Sequence, residues 1–106
     1  DLVRSRGLGD VYKRQVYKMI DMFLYDDVEP SQIRFVGFVG EHSRYDLVLI
    51  QTDRHYGKTL VLNTQTNKFG IIGTDDLEEE GYISYILGVS DEEADEITAY
   101  LNEVIQ

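Results

Sequence analysis

The strongest constraint in this 106-residue chain is a pair of alternating runs, residues 33 to 39 and 45 to 52, separated only by the turn Gly40-Glu41-His42-Ser43 and Arg44. In the first run Ile33, Phe35, Gly37 and Val39 share one face, while Arg34, Val36 and Phe38 share the other. In the second, Tyr45, Leu47 and Leu49 oppose Val48 and Ile50. Period-two alternation makes each run a β-strand, and so short a polar link commits the two to antiparallel pairing. Apolar residues stand on both faces. Strands of that kind belong in a sheet covered on both sides, by helices or by a second subunit.

Two further strands are expected at residues 59 to 63 and 69 to 72, joined by the polar link Thr64-Gln65-Thr66-Asn67-Lys68. Strand follows strand with short links, which argues for a meander rather than a parallel sheet. Upstream, residues 16 to 25 are densely apolar, with Val16, Met19, Ile20, Phe23 and Leu24 at helical spacing. The turn-like Asp26-Asp27-Val28-Glu29-Pro30-Ser31 that follows favours a short strand entering a hairpin.

Downstream, two helices close the chain. Thr74 or Asp75 is the expected cap of the first, Leu77, Ile83, Ile86 and Leu87 form its buried side, Gly81 interrupts it and Gly88 ends it. The second opens on a capping box, Ser90 with Glu93 three residues on, and carries the stripe Ala94, Ile97, Thr98, Leu101, Val104 and Ile105. The expected fold is α+β: an antiparallel β-meander of four to five strands with two C-terminal helices packed on it.

Charge divides the molecule into two ends. Between residues 31 and 73 five cations stand against three acids, whereas residues 75 to 106 carry eleven acids and no base. The formal net charge of −10 disfavours a nucleic-acid binder, because phosphate backbones attract clustered lysine and arginine. With 42% hydrophobic residues the chain is expected to fold, as one domain at this length. There is no cysteine, which removes disulfides and thiolate chemistry and suits the cytosol. No apolar run approaches the roughly 20 residues that span a bilayer, so neither a membrane nor a nucleic acid is an expected partner.

The Asp53-Arg54-His55-Tyr56-Gly57-Lys58 link is the candidate polar site. If it is extended, Asp53 and His55 fall on one side, where the carboxylate orients the imidazole. Arg54 and Lys58 then flank a glycine that permits close backbone approach, an arrangement suited to an anion. Candidate ligand-binding residues are Arg54, His55, Tyr56 and Lys58, joined by Arg34 and Arg44 near opposite ends of the paired strands. The hairpin is expected to bring these two towards one another across the sheet, where they neutralise acids such as Asp46 or the helical glutamates. The same loop also reads as an ordinary polar connection. No catalytic residue is assigned, since phosphate-loop, nucleophile-elbow, zinc-protease and EF-hand motifs are all missing. Two histidines are too few for a histidine-rich metal site, and no metal or cofactor is expected.

Two resemblances complete the reading. Residues 5 to 15, Ser-Arg-Gly-Leu-Gly-Asp-Val-Tyr-Lys-Arg-Gln, resemble the translation of a transposase sequencing adapter. On that basis residues 1–15 are taken as a non-native tail and 16–106 as the single α+β domain. The strings FLYDD (23 to 27), RFVGFVGE (34 to 41) and RYDLVLIQTDRHYGKTLVLNTQTNKFGIIGTDDLEEEGY (44 to 82), with the acidic terminal helix, resemble a small cytosolic family of low-GC Gram-positive bacteria. That family is known as a domain of unknown function, so the resemblance implies a bacterial cytosolic protein and no activity.

Three functions are open at this point. The first is a protein-interaction or regulatory module without catalysis, whose partner is another protein or a second copy in a homodimer. The second is a small-ligand or anion-binding domain, or an enzyme, centred on residues 53 to 58. The third is an acidic nucleic-acid mimic.

Overall fold

The links between strands are too short for a crossover, and the sheet forms in chain order. In the computed structural model, which describes residues 19–105, β1 (Gln32–Val39), β2 (Arg44–Gln51), β3 (Thr59–Asn63) and β4 (Lys68–Ile72) pair antiparallel in the order β1-β2-β3-β4. Three helices follow, α1 (Thr74–Glu78), α2 (Tyr82–Leu87) and α3 (Asp91–Val104). The β1–β2 turn closes through a 2.8 Å bond from the Gly40 N–H to the Ser43 carbonyl. The β3–β4 turn places Asn67 in the left-handed region at φ 59°, a conformation that asparagine tolerates.

The strand expected within residues 16 to 25 does not form in the described part. Met19 is helical, residues 20 to 31 contain no strand, and residues 16 to 18 lie outside the described residues. Pro30 gives a physical reason, because it has no N–H for a ladder just where a hairpin partner of β1 has to begin.

The helical segment follows the sequence more closely. Gly81 at φ 82° separates α1 from α2, and Gly88 at φ 68° ends α2, where the Val89 N–H bonds the Ser84 carbonyl. Ser90 and Glu93 form the reciprocal capping box of α3, at 3.2 and 3.0 Å. The cap of α1 differs from expectation. Gly73 takes that place in extended conformation, and its N–H donates to the Asp76 carboxylate at 2.9 Å. The Asp76 carboxylate thus supplies the returning half of a capping box, accepting from the cap residue's own N–H, and no cap side chain bonds the first-turn N–H groups.

One sheet face meets the helices. Tyr45, Leu47, Leu49, Val61 and Ile72 pack against Leu77, Ile83, Leu87, Ala94, Ile97, Leu101 and Ile105 in a single buried cluster. All three helices follow β4 and pass to the same side, so the second apolar face receives no helical cover among the described residues. The register aligns that face in two rows across all four strands. One row is Phe35, Val48, Leu62 and Phe69, and the other is Ile33, Ile50, Leu60 and Ile71.

Candidate functional site

The loop between β2 and β3 is turned rather than extended. Residues Asp53–His55 form a 3₁₀ turn, opened by the Thr52 hydroxyl accepting from the Arg54 N–H at 3.1 Å and closed by Tyr56 in the left-handed region at φ 53°. Three residues per turn send side chains two positions apart in different directions, so Asp53 and His55 do not share a side as extended chain implied.

The cations of the loop separate. Arg54 reaches back to the segment before β1, bonding Glu29 at 2.8 Å and Asp27 at 3.0 Å, with its guanidinium 5.4 Å from the Tyr25 ring centroid. The Glu29 carboxylate, and then that of Asp27, raise its pKa further above the ordinary value. Lys58 points the other way, to Asp76 at 3.2 Å. There the Gly73 N–H, and after it Lys58, hold the Asp76 carboxyl below the usual carboxylate range. His55 is half-buried and shares an open hollow with Arg54, Thr52, Tyr25, Asp27 and Glu29, whereas Tyr56 is 95% exposed. Both loop cations are thus met by carboxylates of this chain, and they do not converge on one pocket.

Arg34 and Arg44 are not drawn together. Arg34 lies opposite Leu49 and Arg44 opposite Val39, which puts the two near opposite ends of the hairpin, about 16 Å apart along the strands at 3.3 Å per residue. They also occupy opposite faces. Arg44 pairs with Asp46 at 3.3 Å on the open side, as its position two residues away suggests. Arg34 lines a groove of about 350 Å³ beside Gln32, Gln51 and the end of α3 at Val104 and Ile105.

A cluster that sequence reasoning missed ties the β1–β2 turn to α3. The Glu96 carboxylate accepts from the backbone N–H groups of Glu41 and His42 and from the Tyr45 hydroxyl. Beside it, the Ser43 hydroxyl donates to Glu93. Gly40 lies directly against this carboxylate, so a β-carbon there requires the Glu96 side chain to move from its place. Donation from Tyr45, and next from the two turn N–H groups, lowers the Glu96 pKa, while burial and the adjacent carboxylate push the Tyr45 hydroxyl well up. The ligating atoms of Glu41, His42 and Glu96 gather within 4.8 Å of one another. Because the Glu96 oxygens already accept three donors, the geometry is that of an anchored turn. Nothing in the spacing of 41 and 96 announces it; only the tertiary fold brings them together.

Among the described residues the open sheet face is an apolar surface that no element covers. Phe35 is 79% and Phe69 61% exposed at the two ends of their row, while Val48 and Leu62 between them are half-buried. Tall aromatic ends and shorter aliphatic centres make a shallow trough. Its charge is confined to one corner, where Arg44 and Asp46 neutralise each other and the Gln65 amide bonds Asp46 at 3.0 Å.

Arg54→Ala is expected to free the segment before β1 and leave the core intact. Backbone order parameters at residues 25 to 29 are expected to fall below about 0.6 by NMR relaxation, with the melting temperature little changed, because exposed ion pairs contribute little to global stability. Unchanged order there will show that Arg54 is not what holds the segment.

Fold and surface together define a small α+β protein, an antiparallel meander with helices on one face and, among the described residues, no cover on the apolar face opposite. The chain belongs to the SAV0927-like family, whose model matches residues 24–103. It is a small family of unknown function, as the quoted motifs implied. The match spans all four strands, the 53–58 loop and nearly all of α3. No curated protein matches the chain. Among the described residues no helix is long and apolar enough to cross a membrane.

Proposed function

We propose that this chain is a protein-interaction module without a catalytic site of its own, and that its contact surface is the open face of the sheet. One observation supports this above the others: eight apolar side chains stand in two rows on a face that no described element covers. A monomer's largest apolar patch is usually about 300–600 Å², and larger ones mark contact sites. The loop supports an anion site less well, because Arg54 and Lys58 are engaged by Asp27, Glu29 and Asp76. Of the eleven acids after residue 74, Asp76, Glu93 and Glu96 are engaged within the fold, and the other eight are exposed and serve as a solvated surface that keeps the protein dispersed.

The module is taken to be cytosolic and bacterial, of low-GC Gram-positive origin, in keeping with its lack of cysteine and with the motif strings. Residues 1–15 are taken as adapter-derived and 16–106 as the native domain. A read of the locus from unamplified template is expected to lack codons for residues 5 to 15, and finding them in frame overturns that division.

The function is tested by position-specific cross-linking in cells. A benzophenone amino acid in place of Phe35 is expected to give protein adducts, and the same group in place of the exposed Ala99 on α3 none. Adducts from neither position, from position 99 alone, or equally from both will defeat the reading.

A further inference from the structure

We infer that the occupant of the open sheet face is a second copy of this chain, packed face to face so that two sheets form a sandwich with the helices outside. The inference rests on the protein-contact reading above and names its partner.

The first ground is area. Scaled by full side-chain areas on the order of 150–200 Å², the exposures across the two rows, together with Val39 at 79% on the same face, leave roughly 700 Å² of apolar surface per copy. A stable interface needs about 800 Å² from each partner. The face is thus of the size that one flat partner of equal extent covers. A second sheet of the same four strands is such a partner, since stacked sheets pack about 10 Å apart with their inner side chains interdigitated.

The second ground is charge. A partner recognised by charge finds nothing here to meet, because Arg44 and Asp46 already neutralise each other at the corner. Two copies meet without needing complementary charge, in an isologous contact where the same patch serves both sides. Repulsion between chains of formal charge −10 opposes most ways of pairing them. Face-to-face packing is the arrangement that relieves it, since the acid-rich helices lie on the far side of each sheet. Two sheets and two helical layers separate the acidic surfaces by roughly 30 Å, beyond a Debye length of about 8–10 Å.

Sedimentation equilibrium on the full chain at tens of micromolar tests the inference, with a mass of twice 12.2 kDa expected. Phe35→Glu and Phe69→Glu, at the two ends of the row, are each expected to weaken the dimer roughly 30-fold or more, as loss of an anchoring aromatic does. Both are expected to keep the circular dichroism of the parent, because these side chains are exposed. Ala99→Glu adds the same charge on the helical side and is expected to leave the dimer intact. A monomer at these concentrations, or a dimer that both phenylalanine substitutions leave unchanged, overturns the inference. The cross-linking experiment separates the two claims. If the chain sediments as a monomer while position 35 gives adducts with a different protein, the contact surface stands and the second copy is wrong. An adduct within a single chain, to residues 1–18, sinks both, as does a monomer with no adducts.

Discussion

Leu101→Ala is expected to remove about 2–5 kcal/mol of unfolding free energy, the range for a leucine deleted from a packed core. In a domain of this size that corresponds to a fall in melting temperature of roughly 10–30 °C. Leu101 is fully buried, and it sits in the stripe Ala94, Ile97, Leu101 and Ile105 by which α3 closes the core over the sheet. Among the described residues helices lie on one side of the sheet, and the buried cluster is the seam between them. Total stability of a small domain is about 5–15 kcal/mol, so a single truncation here consumes a large share of it. Glu103→Ala, exposed on the same helix, is the control and is expected to change stability by less than about 0.5 kcal/mol. Both are to be measured by denaturant titration at one fixed protein concentration, because any self-association adds to the apparent value. A loss under about 1 kcal/mol at Leu101 will show that α3 does not seat on the sheet as described.

What was legible in the sequence is what local chemistry determines. The strands from residue 32 onward, their antiparallel order, the glycine breaks at 81 and 88 and the Ser90 capping box depend on alternation, turn residues and caps that lie within a few positions of one another. The two-sided strands were also read correctly as apolar on both faces, although the sequence left open what covers the second one. Contacts set by distant parts of the chain were not legible. The pull of Asp27 and Glu29 on Arg54 crosses more than twenty residues and replaces an imagined convergence with Lys58. Arg34 and Arg44 were placed correctly near opposite ends of the hairpin, but their approach across the sheet was inferred without counting register, which sets them on opposite faces. Residues 20 to 25 have apolar content without a ladder partner, and composition alone cannot supply one.

Glu96 is expected to give the fold an acid-sensitive limb and Tyr45 an alkaline one. The folded chain holds the Glu96 carboxyl below its ordinary value, first because the Tyr45 hydroxyl donates to it and then because the turn N–H groups do. The unfolded glutamate, with a pKa of about 4.3, therefore takes up its proton first on acidification. The stability that Glu96 supplies is complete above that range and disappears as pH falls through the lower, folded value. Glu93 and Asp76 are depressed likewise and add to the same limb. Tyr45 runs opposite. Burial, and then the Glu96 carboxylate, raise its pKa, so its share is complete below the unfolded value of about 10 and is lost as pH rises beyond it. Glu96→Gln sets an amide NH₂ among donors and is expected to melt below the parent at pH 7, with the two curves converging towards pH 3 as the parent's carboxyl protonates. Tyr45→Phe is expected to flatten the alkaline limb. Combined with Glu96→Gln it is expected to cost less than the sum of the two, because both remove the same bond. Melting curves between pH 3 and 11 on the four proteins decide it. Parallel acid limbs in parent and Glu96→Gln will show that this carboxylate does not fasten the hairpin to α3.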